Sequence, residues 1–146
     1  MTKIYFVCMG NYYRSRLAEE LAIYYAQQAG LEIEVDSGGL SDVEHSLNPG
    51  PIAKAVLRYL EAKNIIPVGA QRYPKRCEAA AVHSADIVVC TDADEQLQLF
   101  KQRFPDYAGK IISWRARDQH DDPWLQTPFL IDKHVQTLIK ELNSDA

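Results

Sequence analysis

The sequence predicts an α/β protein, a three-layer sandwich in which a four-stranded parallel sheet is flanked by helices. Short β-rich segments alternate along the chain with segments whose apolar residues recur at helical spacing. Glycine, asparagine, aspartate and proline stand where one pattern gives way to the other. Strands that alternate with helices are joined by right-handed crossovers, which place helices on both faces of a parallel sheet.

The first strand and the first helix have the clearest patterns. Residues 4–7 are a β-rich apolar run, and from about Ser15 the apolar residues recur at helical spacing. Gly30 stands where a glycine commonly ends a helix. Cys8 is therefore predicted at the carboxyl end of the first strand, which is the edge where parallel α/β sheets bind their ligands.

The later elements have shorter patterns. The segment 31–35 is predicted as a second strand that ends in a turn at 36–39, and Pro51 is predicted in the first turn of a helix. The segment 86–90 predicts a third strand, and Asp92 begins a helix whose acidic start suits the helix dipole. A short fourth strand at 111–112 and an amphipathic helix over 129–142 complete the prediction.

Length and composition limit the class of protein. A chain of 146 residues predicts a single domain over 1–146 that can bury a core without a metal or disulfides. The net charge of −4 argues against nucleic-acid binding. Three scattered cysteines and an N-terminal apolar run too short for a signal peptide or membrane span predict a reduced, cytoplasmic protein. We expect no metal, cofactor or membrane partner.

The segment from Cys8 to Ser15 is predicted to carry the chemistry. The five residues between Cys8 and Arg14 can turn their backbone N–H groups inward as an anion nest, beside the positive end of the following helix. Arg14 matches two phosphate oxygens with its planar fork. The same positive field, with a hydrogen bond from Ser15, favours a thiolate at Cys8. A thiolate attacks phosphorus to give a phosphocysteine.

The residues of this loop are also the predicted substrate-binding residues. Gly10 and Asn11 are residue types that tolerate the left-handed backbone such a loop demands. The alternative is that Cys8 is a small buried apolar residue without function. The substrate-binding set comprises Met9, Gly10, Asn11, Tyr12, Tyr13 and Ser15 from this loop, together with Trp124.

The order Val-Cys-Met-Gly-Asn-Tyr-Tyr-Arg-Ser-Arg over 7–16, followed by Ala18-Glu19, resembles a known loop. In the low-molecular-weight protein tyrosine phosphatases it reads Val-Cys-x-Gly-Asn-x-Cys-Arg-Ser-Pro, followed by Ala-Glu. The resemblance extends over essentially the whole chain. It implies a phosphotyrosine phosphatase I-like fold, a phosphotyrosine protein or aryl phosphate as substrate and inorganic phosphate as product. It also implies that Ser37 supports Asn11.

A thiolate nucleophile needs a separate carboxylic acid to protonate the leaving oxygen. The family takes this acid from an Asp-Pro-aromatic motif, and the resemblance implies Asp122 of Asp122-Pro123-Trp124, the one Asp-Pro in the sequence. Its carboxylate would then activate the hydrolytic water. Asp118 and Asp121 are alternatives, and Asp-Pro also begins ordinary turns. Trp124 and Tyr12 are predicted pocket walls, although Trp124 could equally pack under the loop.

The sequence departs from the family pattern at several positions. Tyr13 stands where many members have a second cysteine, so an oxidised Cys8 has no adjacent thiol with which to form a disulfide. Arg16 replaces the usual proline and is expected to add positive charge near the phosphate site. The segment 71–76 lacks the family's histidine. Its basic residues Arg72, Lys75 and Arg76 are interpreted as solvated surface, or less favourably as contacts to an acidic partner.

Two further functions fit the same residues. An arsenate reductase on this fold would need a relay of cysteines close together, whereas Cys77 and Cys90 are 13 residues apart and are interpreted as structural. A non-catalytic phosphate or phosphopeptide binding module would not need the nucleophile or the acid. The four histidines are interpreted as surface or packing residues.

Overall fold

Strands and helices alternate in the computed structural model, which describes residues 1–41, 43, 46–123 and 125–145. The strands are β1 (Thr2–Cys8), β2 (Ile33–Gly39), β3 (Ile87–Cys90) and β4 (Lys110–Ser113). The helices are α1 (Arg14–Ala29), α2 (Lys54–Ala62), α3 (Ala79–Ser84), α4 (Ala93–Arg103) and α5 (Thr127–Ser144), with a 3₁₀ turn at Gln119–Asp121.

The strands form one parallel sheet with the order β2-β1-β3-β4. In this register Cys8 pairs with Gly39 of β2, and Val7 pairs with Cys90 of β3. The carboxyl end of β1 is thus enclosed by the ends of two neighbouring strands. The predicted four-stranded parallel sheet is confirmed, and so is the position of Cys8 at the end of its first strand.

Helices cover both faces of the sheet because successive side chains of a strand point to opposite faces. Ile4 and Phe6 of β1 are buried in the core that β1 shares with α1 and α5, where Leu17 and Ile131 also lie. Tyr5 and Val7 belong to the second core, together with Val82 of α3 and Phe100 of α4. The predicted three-layer arrangement is confirmed.

The predicted turn at 36–39 is wrong, because β2 continues through Gly39. Residues 36–39 pair with residues 5–8 of β1, so the backbone stays extended. Small residues suit this position because the loop after β1 crosses directly over them. A Cβ on Gly39 would lie 2.6 Å from the Met9 carbonyl oxygen and 3.2 Å from the Asn11 nitrogen.

The second helix begins later than predicted. α2 begins at Lys54, and Pro51 lies before it in a bend. The Ala53 N–H donates to the Tyr12 carbonyl, and the Pro51 carbonyl accepts from Arg16, so this segment is held against the loop after β1. Gly30 ends α1 in the left-handed conformation, as predicted, with φ of 66°. In the described part of the chain no helix is both long and apolar enough to span a membrane.

We predict that Gly39→Ala destabilises the fold by about 1–3 kcal/mol, because the added methyl group cannot fit without moving the backbone of the loop. Urea unfolding measures the change. Gly10→Ala is the matched control, since a Cβ there would meet nothing closer than the Asn48 Nδ2 atom at 3.9 Å. Equal stability of the two variants would contradict the tight approach of loop and strand.

Candidate active site

The sulfur of Cys8 lies among hydrogen-bond donors from its own loop. Cys8 is 2% exposed, and its Sγ atom accepts the Asn11 backbone N–H at 3.2 Å. The Ser15 Oγ atom is 3.0 Å from Sγ. That oxygen also accepts the Asn11 side-chain Nδ2–H at 2.8 Å, so its own proton is left to donate to the sulfur. The predicted hydrogen bond between Ser15 and Cys8 is therefore present.

Asn11 connects this loop to two other segments. Its Nδ2 atom donates to the Ser37 Oγ atom at 2.9 Å, as the resemblance implied. Its Oδ1 atom accepts the Lys75 backbone N–H at 3.0 Å and an Arg72 Nη1–H at 3.3 Å. The backbone of Asn11 is left-handed, with φ of 49°, as predicted. The left-handed conformation of this loop falls on Asn11 and not on Gly10.

Arg72 is part of the support for the loop. Its Nη2 atom donates to Glu19 Oε1 at 2.7 Å and to Ser37 Oγ at 3.0 Å, in addition to the bond to Asn11. The side chain is 28% exposed. The interpretation of Arg72 as a solvated surface residue is wrong, because its guanidinium bonds three side chains that support the loop.

Arg16 is buried, with 1% of its surface exposed. Its guanidinium donates to the carbonyl oxygens of Pro51 at 3.0 Å, Gly69 at 2.7 Å and Arg72 at 2.8 Å. Burial, reinforced by the charge of Arg72, lowers the pKa of Arg16 to about 10, so it remains protonated at neutral pH. The charge of Cys8 is among the influences on this pKa, so Arg16 does add positive charge near the phosphate site, as expected, while its Nη1 and Nη2 donors are directed at loop carbonyls.

Arg14, at the start of α1, is held between carboxylates and a carbonyl. Its Nη2 atom pairs with Glu95 Oε1 at 2.7 Å, and its Nη1 atom donates to the Ala116 carbonyl at 3.0 Å. Asp92 Oδ2 lies 3.7 Å from Nη1. Burial opposes the charged form, but the Cys8 sulfur and Glu95 outweigh it and raise the pKa of Arg14. A permanent positive charge thus lies beside the sulfur.

Cys8 and Arg14 open onto a cavity of about 250 Å³. Of the predicted substrate-binding residues, Gly10, Tyr12 and Tyr13 line it. Met9 packs with the second core. Asn11 and Ser15 bond the sulfur but do not line the cavity. Trp124 lies outside the described residues. The other lining residues are Asn48, Asp118, Gln119 and His120.

The two candidate acids have different environments. Asp118 lines the cavity, whereas Asp122 is not among the described residues that do so. The Asp122 carboxylate accepts the backbone N–H groups of Gln126 at 2.9 Å and Thr127 at 2.7 Å, at the start of α5. Burial raises the pKa of Asp122, but these hydrogen bonds outweigh it, so the pKa lies below its ordinary value.

Some site residues were missed by sequence reasoning. Asp92 follows β3, whose carboxyl end is next to that of β1, so the predicted sheet contained a signal for it. Glu95 and His120 reach the site from a helix and a loop, and nothing in their local sequence indicates this. Among the described residues, His, Cys, Asp and Glu side chains form no group of three that could hold a metal ion.

Comparison with protein families matches residues 3–145 to the low molecular weight phosphotyrosine protein phosphatases. The chain belongs to this family. A search of curated protein sequences gave no significant match.

Three solved structures are similar to this chain. A low molecular weight protein tyrosine phosphatase from Bacillus subtilis is 25% identical, with a TM-score of 0.78 and 99% of each chain covered. A mutant of YwlE from the same organism is 23% identical, with a TM-score of 0.80, covering 97% of this chain and 99% of that one. A thioredoxin-dependent arsenate reductase from Corynebacterium glutamicum is 22% identical, with a TM-score of 0.71. That match covers 100% of this chain and 63% of the reductase.

We predict that Arg16→Met lowers the free energy of unfolding by about 2–4 kcal/mol, since carbonyl groups that now bond a charged donor lose it. Urea unfolding of the variant and the wild type measures the change. Arg58→Met, at an exposed position of α2, is the matched control and is expected to change stability little. Equal losses in the two variants would mean that water replaces the Arg16 donors.

Proposed function

We propose that this protein hydrolyses phosphotyrosine and small aryl phosphates through a phosphocysteine on Cys8. The observation that carries the proposal is the convergence of two donors, from Asn11 and Ser15, on a sulfur at the floor of a cavity that also contains Arg14. A thiolate is the nucleophilic form of cysteine, and fixed donors and a guanidinium stabilise the phosphoryl group in the transition state of its transfer.

The reaction proceeds in two displacements. The Cys8 thiolate attacks phosphorus, so that an S–P bond forms while the bond from phosphorus to the aryl oxygen breaks. A carboxylic acid gives its proton to the departing oxygen, and the product is a phenol. Water then attacks the phosphocysteine, giving its proton to the same carboxylate, and inorganic phosphate leaves as the thiolate re-forms. Arg14 binds the phosphoryl oxygens in both steps.

The acid must come from the loop that covers the cavity. The sequence assignment is Asp122, and its carboxylate is engaged by backbone N–H groups of α5. Asp118 is in the same loop and lines the cavity. The proposed function requires a carboxyl group from this loop and holds for either residue.

A preference for aryl substrates is supported by the cavity wall. Tyr12 and Tyr13 line the cavity, and aromatic faces pack well against a phenyl ring. Burial, with the charges of Asp122 and Asp118, raises the pKa of Tyr13 to about 12. Its hydroxyl is therefore neutral at physiological pH and does not repel a phosphate dianion.

Arsenate reduction is the less favoured alternative. Burial raises the pKa of both Cys77 and Cys90 to about 12, so neither thiol is an effective nucleophile at neutral pH. The structural likeness to an arsenate reductase concerns a shared fold. All three cysteines are free, which is consistent with a reducing compartment, and we propose a cytoplasmic location.

Another structure of YwlE is described as an arginine phosphatase with a phosphorylated active-site serine. It has 23% identity to this chain. A phosphorylated residue at the nucleophile position of that protein is consistent with a phosphoenzyme here. Phosphoarginine is therefore included with phosphotyrosine among the substrates to be tested.

We predict that the wild type hydrolyses p-nitrophenyl phosphate and a phosphotyrosine peptide, with little activity on phosphoserine or phosphoarginine peptides. Cys8→Ser should have no turnover. Arg14→Lys should lose about 100-fold in kcat/KM, because an ammonium cannot bind two oxygens with a planar fork. Phosphate release measures activity, and a chelator should leave it unchanged.

The same assays separate the alternatives. Binding of a phosphotyrosine peptide without turnover would favour the binding module. Preferred hydrolysis of the phosphoarginine peptide would change the proposed substrate class but would leave the assignment of Cys8 as the nucleophile unchanged. Arsenate-dependent consumption of thioredoxin reducing equivalents, with no phosphate release, would contradict the proposal.

A further inference from the structure

We propose that Glu95 is a positioning residue of the reaction, a carboxylate that holds the Arg14 guanidinium in the direction needed to bind the phosphoryl group. The inference rests on the proposed function and deepens it. It starts from a direct contact, in which Arg14 Nη2 donates to Glu95 Oε1 at 2.7 Å. Arg14 begins α1, whereas Glu95 lies in the first turn of α4. The contact therefore fixes the phosphate-binding side chain against a separate element of the fold.

The hydrogen bonds of Arg14 leave part of its guanidinium for a ligand. One Nη2–H donates to Glu95, and one Nη1–H donates to the Ala116 carbonyl at 3.0 Å. A guanidinium has five N–H groups, and the described residues accept these two, so three remain. Both bonds hold the Nη end of the planar group. The side formed by Nε and Nη2 therefore stays available for two phosphoryl oxygens.

Asp92 also lies near Arg14, but its charge is matched elsewhere. Its Oδ2 atom is 3.7 Å from Arg14 Nη1, beyond hydrogen-bond distance. Both of its carboxylate oxygens instead accept from Arg117 Nη1 at 3.0 Å. Glu95 is therefore the carboxylate that bonds Arg14 directly. The pair is screened little by solvent, because the Arg14 side chain is 3% exposed.

The position of Glu95 is itself fixed by its neighbours. A glutamate at the third residue of a helix often accepts the backbone N–H of the residue before the helix. Here that N–H, of Asp92, donates to Gln96 Oε1 at 3.1 Å, so Glu95 is not needed as a cap. The amide of the buried Gln96 donates to Glu95 Oε1 at 3.3 Å and to Thr91 Oγ1 at 3.2 Å. Thr91 donates in turn to the Val7 carbonyl at 2.9 Å, so the carboxylate is connected to the strand that carries the nucleophile.

The contact has two consequences for the reaction. The acceptor at Glu95 sets the direction of the guanidinium, so its loss misaligns the fork with the phosphoryl oxygens and lowers kcat. The negative charge of Glu95 repels the phosphate dianion that Arg14 attracts, so its loss strengthens the binding of inorganic phosphate, the product. A glutamine at this position keeps an acceptor and removes the charge, which separates the two effects.

The test compares Glu95→Gln with Glu95→Ala in two measurements. Hydrolysis of p-nitrophenyl phosphate gives kcat and KM, and calorimetric titration with inorganic phosphate gives its Kd without turnover. We expect kcat to fall at least about 10-fold in Glu95→Ala and to stay within about threefold of the wild type in Glu95→Gln, which still accepts from Arg14. In Glu95→Gln the Kd of phosphate should fall roughly fivefold, because a repulsive charge is gone.

Asp94→Asn is the matched control. It removes a carboxylate from the same turn of α4, at a side chain that is 51% exposed and pairs with Arg117. Neither kcat nor the Kd of phosphate should change. Wild-type kcat in Glu95→Ala, or the same Kd in Glu95→Gln as in Asp94→Asn, would overturn the inference. Equal losses of kcat in both Glu95 variants with a matching fall in Tm would also overturn it, because they would indicate support of the fold alone.

Failure of the inference and failure of the proposed function give different results. If the wild type is active, Cys8→Ser is inactive and both Glu95 variants match the wild type, only the inference fails. If the wild type binds phosphate but releases none from the ester, the proposed function fails. The phosphate titrations alone then decide whether Glu95 acts on Arg14.

Discussion

The side chain of Asn11 braces the loop that carries Cys8 and joins it to two other segments of the chain. Its amide donates to Ser15 and Ser37 and accepts from Lys75 and Arg72. A buried amide with all its partners is rigid, while the loss of one partner leaves a costly unsatisfied group. The left-handed backbone of Asn11 is held by these bonds, and it directs the backbone N–H of that residue at the sulfur.

The fold was largely predictable because its pattern is local. The apolar run of β1, the helical spacing of α1 and the glycine that ends it can each be recognised within a few residues. The prediction failed at 36–39, where Gly38 and Gly39 are typical of a turn but the segment is a strand. There tertiary pairing with β1 overrides local preference. The loop after β1 also approaches this strand so closely that residues without bulk are required.

The site was predictable where one short segment contains the chemistry. The nucleophile, the guanidinium and the serine are neighbours in sequence, so their spacing alone indicates an anion-binding loop. Arg72 and Glu95 come from segments 61 and 81 residues away from the loop residues that they contact. Nothing in their immediate surroundings distinguishes them from surface charges, because their role depends on a fold that brings distant segments together.

The buried guanidinium at position 16 has an evolutionary consequence. It bonds carbonyl groups of two separate segments, at Pro51 and at Gly69 to Arg72. Exchange of Arg16 for the proline of the resembled motif would remove every one of these bonds at once and leave the carbonyl groups of both segments without this donor. We therefore expect substitutions at this position to be epistatic, because the effect of replacing Arg16 depends on whether the two segments that it bonds change with it.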